Sequence, residues 1–393
     1  SKKVVMAMSP KQSLRDATGQ AGGFRRRKKV VVAMSGGVDS SVAAALLKKS
    51  GVDVIGVFMK FWQESGVHGG WNRCCSPESE RRARQVAKIL NIPFYIIRLE
   101  KEFKKRIVDY FLKEHRMGLT PNPCVICNKE IKFGLWLEKA LAWDADFIAT
   151  GHYARVIDDS RQRIFRLYKG SDKEKDQSYF LWQLNQKQLK RIMFPIENYT
   201  RVEVEKLAKK FKLPFSGVKK SQEICFIPNT IEDFLKRHIK AKPGPVAEQV
   251  HYGVKKIIGQ HQGLWFYTIG QRKGLGLVGG PAFAKASAGK PYYVLDKDLK
   301  KNLLIVTKNE KDLYKKELIA KNVSWISGKI PKLPLKVQAK IRYRHKPATA
   351  VITKILHSTF YILKFTRPQR AITPGQSVVF YRGRELLGGG IIC

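Results

Sequence analysis

Short apolar runs alternate with amphipathic stretches from residue 28 onward. KKVVVAM (28–34) predicts a strand, and SSVAAALLKKSG (40–51) predicts a helix ending on a glycine cap. VDVIGVFMKFW (52–62) and PFYIIRL (93–99) read as further strands, with SPESERRARQVAKILNI (76–92) a serine-capped helix between them. LEKEFKKRIVDYFLKEHRMG (99–118) and NKEIKFGLWLEKALAW (128–143) have helical periodicity, and ADFIATGHYARV (145–156) reads as one strand. Strands alternating with helices predict an α/β fold, a Rossmann-like parallel sheet covered on both faces.

The pattern then changes. Residues 200–215 and 231–239 are short, basic and helical. After KPGPV (242–246), the stretches 335–355, 360–365 and 377–392 alternate in short strands with Gly and Pro turns, which predicts a small C-terminal antiparallel β-barrel. The Ala/Gly/Lys-rich run at 280–293 reads as a surface insertion. KKVVMAMS at 2–9 reappears as KKVVVAMS at 28–35, and only the second copy continues into a glycine loop. The expected organisation is a disordered basic extension (1–27), a Rossmann-like α/β domain (28–215), a small central domain (216–285) and the barrel (286–393).

Charge adds a partner. Lys and Arg number 75 against 32 Asp and Glu, a net +43, which favours a polyanion such as nucleic acid. The six cysteines are sparse and irregularly spaced, unlike a secreted disulfide scaffold, so a reducing, cytoplasmic compartment is expected. No apolar run approaches the ~20 residues that span a bilayer, and no membrane partner is expected.

AMSGGVDSS (33–41) sits between a predicted strand and helix. Its glycines let the backbone approach a ligand, and the helix start offers unpaired N–H groups, so the loop reads as a phosphate cradle. No GK[ST] follows, so it is not the usual P-loop. Cys124 and Cys127 form a CxxC in TPNPCVICNKEIKFG (120–134). From the residues alone, a metal site, a redox pair and a sulfur carrier all remain open. A zinc site would need a fourth ligand and a second CxxC, which are missing. Cys74 and Cys75 read as structural, and Cys393 has no evident role.

SGGVDSS, TPNPCVICNKEIKF and SQEICFIP (221–228), with ATGHYAR, KDQSYFL, IGQRKGLG, IRYRH and TPGQSVVFY, resemble the bacterial and organellar tRNA-specific 2-thiouridylases, within the N-type ATP pyrophosphatases. The resemblance runs from about residue 28 to the end. It implies ATP-dependent 2-thiolation of the wobble uridine in tRNA anticodons, with ATP and Mg²⁺ as cofactors. It also implies a sulfur donor, either a cysteine desulfurase or a sulfur-relay protein, and tRNA partners among the Lys, Glu and Gln acceptors. ATP would meet Ala33, Met34, Ser35, Gly36, Gly37, Val38, Asp39, Ser40, Met59 and Gly151. Cys225 would carry the persulfide, and Cys127 would complete transfer, leaving a Cys127–Cys225 disulfide. Asn122, Pro123 and Cys124 would touch the base. His152, Lys175, Asp176, Gln177, Arg342, Tyr343 and Gln376 would lie near the tRNA, so Arg342→Ala is expected to weaken binding. Flanking Lys129, Lys132, Lys219 and Lys220 would favour thiolates.

The chain departs from some members, which carry aspartate where Cys124 stands. The extra thiol admits a second reading, a [4Fe-4S] cluster on Cys124, Cys127 and Cys225. Two rivals complete the set: another adenylating ligase with a pyrophosphate loop, and an RNA-binding protein that kept the fold without its chemistry.

Overall fold

A computed structural model describes residues 26–64, 75–215, 224–249, 255–275, 291–355 and 359–393. The repeat at 2–9, Cys74, Lys219, Lys220 and most of the Ala/Gly-rich run lie outside the described residues. The chain divides into two compact units.

The first unit comprises residues 1–104, 127–228 and 384–386. Its centre is a parallel five-stranded sheet, ordered β3-β2-β1-β4-β7. The strands are β1 (Lys29–Ala33), β2 (Asp53–Lys60), β3 (Phe94–Arg98), β4 (Phe147–Ala149) and β7 (Ile192–Met193). Val30, Val31 and Val32 of the central β1 are fully buried, as a strand covered on both faces requires. Helix α1 (Val38–Lys49) is rich in Ala and Leu and buries most of its surface against the sheet. Its last turn carries Lys48 and Lys49, which complement the helix dipole. Helix α2 (Pro77–Ile89) starts as its sequence predicts: Ser76 accepts from Ser79 N, and proline opens the first turn.

Three expectations change. The single strand 145–156 is two. β4 ends at Ala149, and β5 (Ala154–Asp159) leaves to form an antiparallel hairpin with β6 (Ile164–Lys169). The helix expected over 99–118 is α3 (Glu100–Phe103), a π-helical Lys104–Val108, and α4 (Asp109–Arg116). The helix expected over 128–143 opens as a π-helix, Cys127–Leu135, before α6 (Trp136–Ala142); α5 (Pro123–Ile126) precedes it. Wide i→i+5 turns leave no trace in a 3.6-residue pattern.

The second unit comprises residues 105–126, 229–383 and 387–393. A four-stranded sheet, ordered β10-β11-β8-β9, packs Val246, Val294, Leu304 and Val306 into a small core. These strands are β8 (Gly244–Gln249), β9 (Lys255–His261), β10 (Tyr293–Asp298) and β11 (Leu303–Thr307). Six antiparallel strands form a closed barrel in the order β12-β15-β14-β13-β16-β17, sealed by β12 against β17. They are β12 (Tyr314–Trp325), β13 (Leu335–Lys340), β14 (Ala348–Lys354), β15 (Tyr361–Arg370), β16 (Ser377–Arg382) and β17 (Glu385–Ile392). Alternate residues such as Val337 and Ala339, Ala350 and Ile352, and Leu363 and Phe365 fill its interior.

His115 on α4 is buried in this unit. Its Nδ1 lies 3.3 Å from the Trp265 carbonyl, and its ring packs on Phe111. Burial, then the charge of Lys297, pushes its pKa from 6.5 down to about 4. The folded state therefore refuses a proton that the unfolded chain accepts. This contribution to stability is present above pH 6.5 and is lost as pH falls towards about 4. It amounts to roughly 3 kcal/mol. Urea midpoints at pH 7 and at pH 4 should therefore differ more in the wild type than in His115→Leu; equal differences would refute the assignment.

Candidate nucleotide and cysteine site

The glycine loop lies at the C-terminal end of β1, where the sheet order reverses between β1 and β4. In open α/β sheets ligands bind at this position. Gly37 caps α1 with no side-chain hydrogen bond, so the cap supplies no internal partner for the first N–H groups. Ser40 and Ser41 turn their hydroxyls back onto the Gly37 carbonyl, at 3.0 and 2.9 Å, and Ser35 N donates to Ser40 Oγ at 3.2 Å. These bonds stiffen the loop from within.

Close approaches fix it from outside. Gly36 has φ +70°, and a Cβ there would lie 2.1 Å from the Ser79 carbonyl. A Cβ on Gly151, just past β4, would lie 2.7 Å from Asp39 C and Ser40 N. Gly151 therefore lets the end of β4 lean directly on the first turn of α1. Met34, just past β1, and Met59, in the neighbouring β2, are buried.

Three residues that the sequence reading did not single out hold this loop. Arg82 Nε donates to the Gly36 carbonyl at 3.1 Å, and its Nη2 to Ser79 Oγ at 3.0 Å. Tyr153 Oη and Arg201 Nη1 both donate to Asp39 Oδ1, each at 2.7 Å. Burial, reinforced by Asp39, pushes the Tyr153 phenol well up, so it remains a donor. The one available signal was Tyr153 lying inside ATGHYAR.

Cys127 is buried and opens the π-helical segment; Cys225 is partly exposed. Both occur as thiols. Their segments meet a common element, α3. Phe226, beside Cys225, packs edge-on against Phe103 of α3, with centroids 5.8 Å apart, and Phe103 stacks on Phe61 at 4.7 Å. The Cys127 segment packs on the same helix. Cys75 Sγ donates to the Met59 carbonyl at 3.5 Å and lies 3.4 Å from Phe61 N, a structural position.

His152 packs against both Phe133 and Phe194, which also contact each other, and its Nδ1 is 2.7 Å from Thr150 Oγ1. Burial, then the charge of Lys132, holds its pKa well below 6.5, so the ring is neutral at pH 7. Asp176 is buried and accepts from Gly170 N, Ser178 N and Ser178 Oγ. Gln177 exchanges two hydrogen bonds with the Tyr153 backbone. Lys175 is half-buried, and its N donates to Asp172 Oδ1 at 3.1 Å. Lys129 pairs with Glu130 at 3.4 Å.

Asn122, Pro123 and Cys124 belong to the second unit, where Pro123 is buried and the other two are half-buried. Gln376 Nε2 donates to the Thr120 and Pro121 carbonyls at 2.9 and 3.3 Å, and so fixes the turn leading to Asn122. Arg342 Nη2 donates to the carbonyls of Ile269 and Ala371 and to Thr373 Oγ1. Its neighbour Tyr343 packs under Lys340 Nζ. Among the described residues no three His, Cys, Asp or Glu side chains are grouped as a metal ion needs.

Residues 28–229 match a family model described as the tRNA methyl transferase HUP domain. Residues 232–308 match the corresponding PRC-barrel domain, and 315–392 an aminomethyltransferase β-barrel domain. The chain is 47% identical over 352 residues to a tRNA-specific 2-thiouridylase, MnmA 2, of a Thermoanaerobacter species; the match covers 88% of this chain and 93% of that one. It is 44% identical over 349 residues to tRNA-specific 2-thiouridylase MnmA of Clostridioides difficile, again covering 88% and 93%. On these matches, which span the glycine-loop sheet, the middle domain and the barrel, the chain belongs to the tRNA-specific 2-thiouridylase family.

Proposed function

We propose that this protein is a cytoplasmic tRNA sulfurtransferase that replaces O2 of the wobble uridine with sulfur. One observation supports this most: two cysteines remote in sequence are carried by segments packed on the same short helix, in the unit that holds the glycine loop. MgATP is a substrate, its phosphates received by the backbone N–H groups at the start of α1. The uridine must leave the anticodon stack to reach this unit. Its O2 attacks the α-phosphorus, pyrophosphate departs, and an adenylated oxygen becomes a good leaving group.

A donor, a cysteine desulfurase or a relay protein, first charges Cys225 as a persulfide. The terminal sulfur attacks C2 and forms the C–S bond. The Cys127 thiolate then attacks Cys225 Sγ and breaks the bond between that atom and the transferred sulfur. AMP leaves with the former O2. The sulfane sulfur is reduced by two electrons, and the two cysteines are oxidised to a disulfide. A thiol reductant must then restore them. No step passes through an iron–sulfur cluster.

Of the RNA-side candidates, Asp176, Gln177, Arg342 and Gln376 serve by shaping the loops that present Lys175 and Asn122 to the tRNA. Arg342→Ala is then expected to lower both stability and tRNA affinity, since three acceptors lose their donor, at about 1–3 kcal/mol. A melting curve beside a salt-series binding assay checks this; an unshifted melting temperature would refute the buttress role.

The matched model's description suggests methylation instead, a reaction that would leave both cysteines idle. Nucleoside mass spectrometry of tRNA treated with enzyme, MgATP and a persulfide source separates the two. Sulfur at the wobble uridine of Lys, Glu and Gln acceptors, dependent on ATP, is the expected result. A methyl group, or no change, overturns the proposal.

A further inference from the structure

Helices wound wider than the α form are rare and concentrate where function needs an unusual register. The nine residues Cys127–Leu135 form such a stretch, and Cys127 is its first residue. The stretch runs into α6, which is anchored by the fully buried Trp136 and Ala140. With i→i+5 bonding each residue turns less about the axis than in an α-helix. Rewinding the stretch as α-helix on a fixed α6 would therefore rotate Cys127 and aim its thiol elsewhere.

Two features hold the wide register. It brings the Lys129 carbonyl against Gly134, where a Cβ would lie 2.7 Å from that oxygen. Gln188 clips the same turn from outside. Its Nε2 donates to the Phe133 carbonyl at 2.7 Å and more weakly to the Lys129 carbonyl at 3.4 Å. The amide is itself fixed. Gln188 is the third residue of α7 (Gln186–Leu189) and completes a capping box: its Oε1 accepts from Asn185 N and its N donates to Asn185 Oδ1, both at 3.0 Å. With Oε1 engaged by the cap, Nε2 is left facing the wide turn. Beside Cys127, the buried Asn128 adds a second amide tie, Nδ2 donating to the Phe180 carbonyl at 3.1 Å.

We propose that Gln188 is a positioning residue for Cys127: by clipping the wide turn it sets the direction in which the thiolate meets Cys225 Sγ. The inference rests on the sulfur relay proposed above and concerns only its last step. There the Cys127–Cys225 bond forms, the bond from Cys225 Sγ to the transferred sulfur breaks, and the electron pair leaves on that sulfur, already bonded to C2. Adenylation and persulfide loading draw on other segments. A residue that merely braced the fold would slow all three steps together.

The test is Gln188→Glu in the full chain. It keeps an oxygen for the Asn185 cap and sets a second oxygen against the Phe133 carbonyl. In single-turnover reactions with MgATP, tRNA and a persulfide source, pyrophosphate release and sulfur loading on Cys225 should stay within about twofold of wild type. Release of thiolated tRNA should slow roughly tenfold or more, the scale on which misplacing a reacting group acts. A denaturing, non-reducing gel should then show tRNA held on the protein and freed by dithiothreitol. Gln188→Met, which removes the donor without adding a charge, carries the same comparison should the glutamate variant fail to fold. Equal slowing of all three steps, or of none, overturns the inference. Cys127→Ser releasing thiolated tRNA at the wild-type rate would overturn the relay itself, and this inference with it.

Discussion

Serine in place of Cys225 is expected to cut thiolation by roughly a thousandfold or more, the scale on which losing a covalent nucleophile acts. Serine at Cys127 should do the same, for a different reason. In the proposed relay, losing Cys225 leaves no persulfide to deliver. Without Cys127 the persulfide forms and attacks, but nothing cleaves the remaining sulfur–sulfur bond. Intact-mass analysis after incubation with the donor should find an added sulfur on Cys127→Ser and none on Cys225→Ser. Pyrophosphate release should persist in both variants, because the glycine loop is built from other segments. Near-normal thiolation by either variant would end the relay mechanism and leave the family assignment standing.

Alanine at Gly36 and alanine at Gly37 are expected to behave as opposites. Gly36 has a backbone that L residues rarely adopt, and its missing side chain is occupied by the Ser79 backbone, with three atoms within 2.8 Å of a hypothetical Cβ. Ser79 cannot retreat: it is buried, and its N is held by the Ser76 cap. Gly36→Ala should therefore cost about 2–4 kcal/mol and displace the loop. Gly37 has φ −93°, and the nearest atom to a Cβ would be Ser35 Oγ at 3.4 Å. Gly37→Ala should stay within about 1 kcal/mol of wild type. Melting curves decide the matter, and matched melting temperatures for the two variants would refute the packing argument.

The β1–loop–α1 unit was legible because local and global demands agree there: an unbroken valine run, two glycines, then a high-propensity helix. The barrel was legible where alternation is clean, as in LKVQAK and FYILKF. The hairpin of β5 and β6 was hidden, since ARVIDD and IFRLYK carry charge on both faces, and β4 was read straight through its end at Ala149. At the site, the cysteines and glycines announce themselves by type and spacing. Arg82, Tyr153 and Arg201 do not. Their partners lie 46, 114 and 162 residues away, and an arginine bound to a carboxylate reads in sequence like any solvated arginine. The buttressing by Arg342 and Gln376 was illegible for the same reason, because their partners are mostly backbone carbonyls, which every residue possesses.

The barrel is sealed by the last strand of the chain. Ala320 pairs with Ile392 and Trp325 with Gly388, while Ile392 N donates to the Gln376 carbonyl and the Ile392 carbonyl accepts from Gly375 N. Proteolytic trimming back to Arg384 would strip this ladder from β12 and β16 together, leaving two raw flanks able to recruit strands from other molecules. A clipped preparation would thus lose solubility before the parallel sheet and its glycine loop came apart.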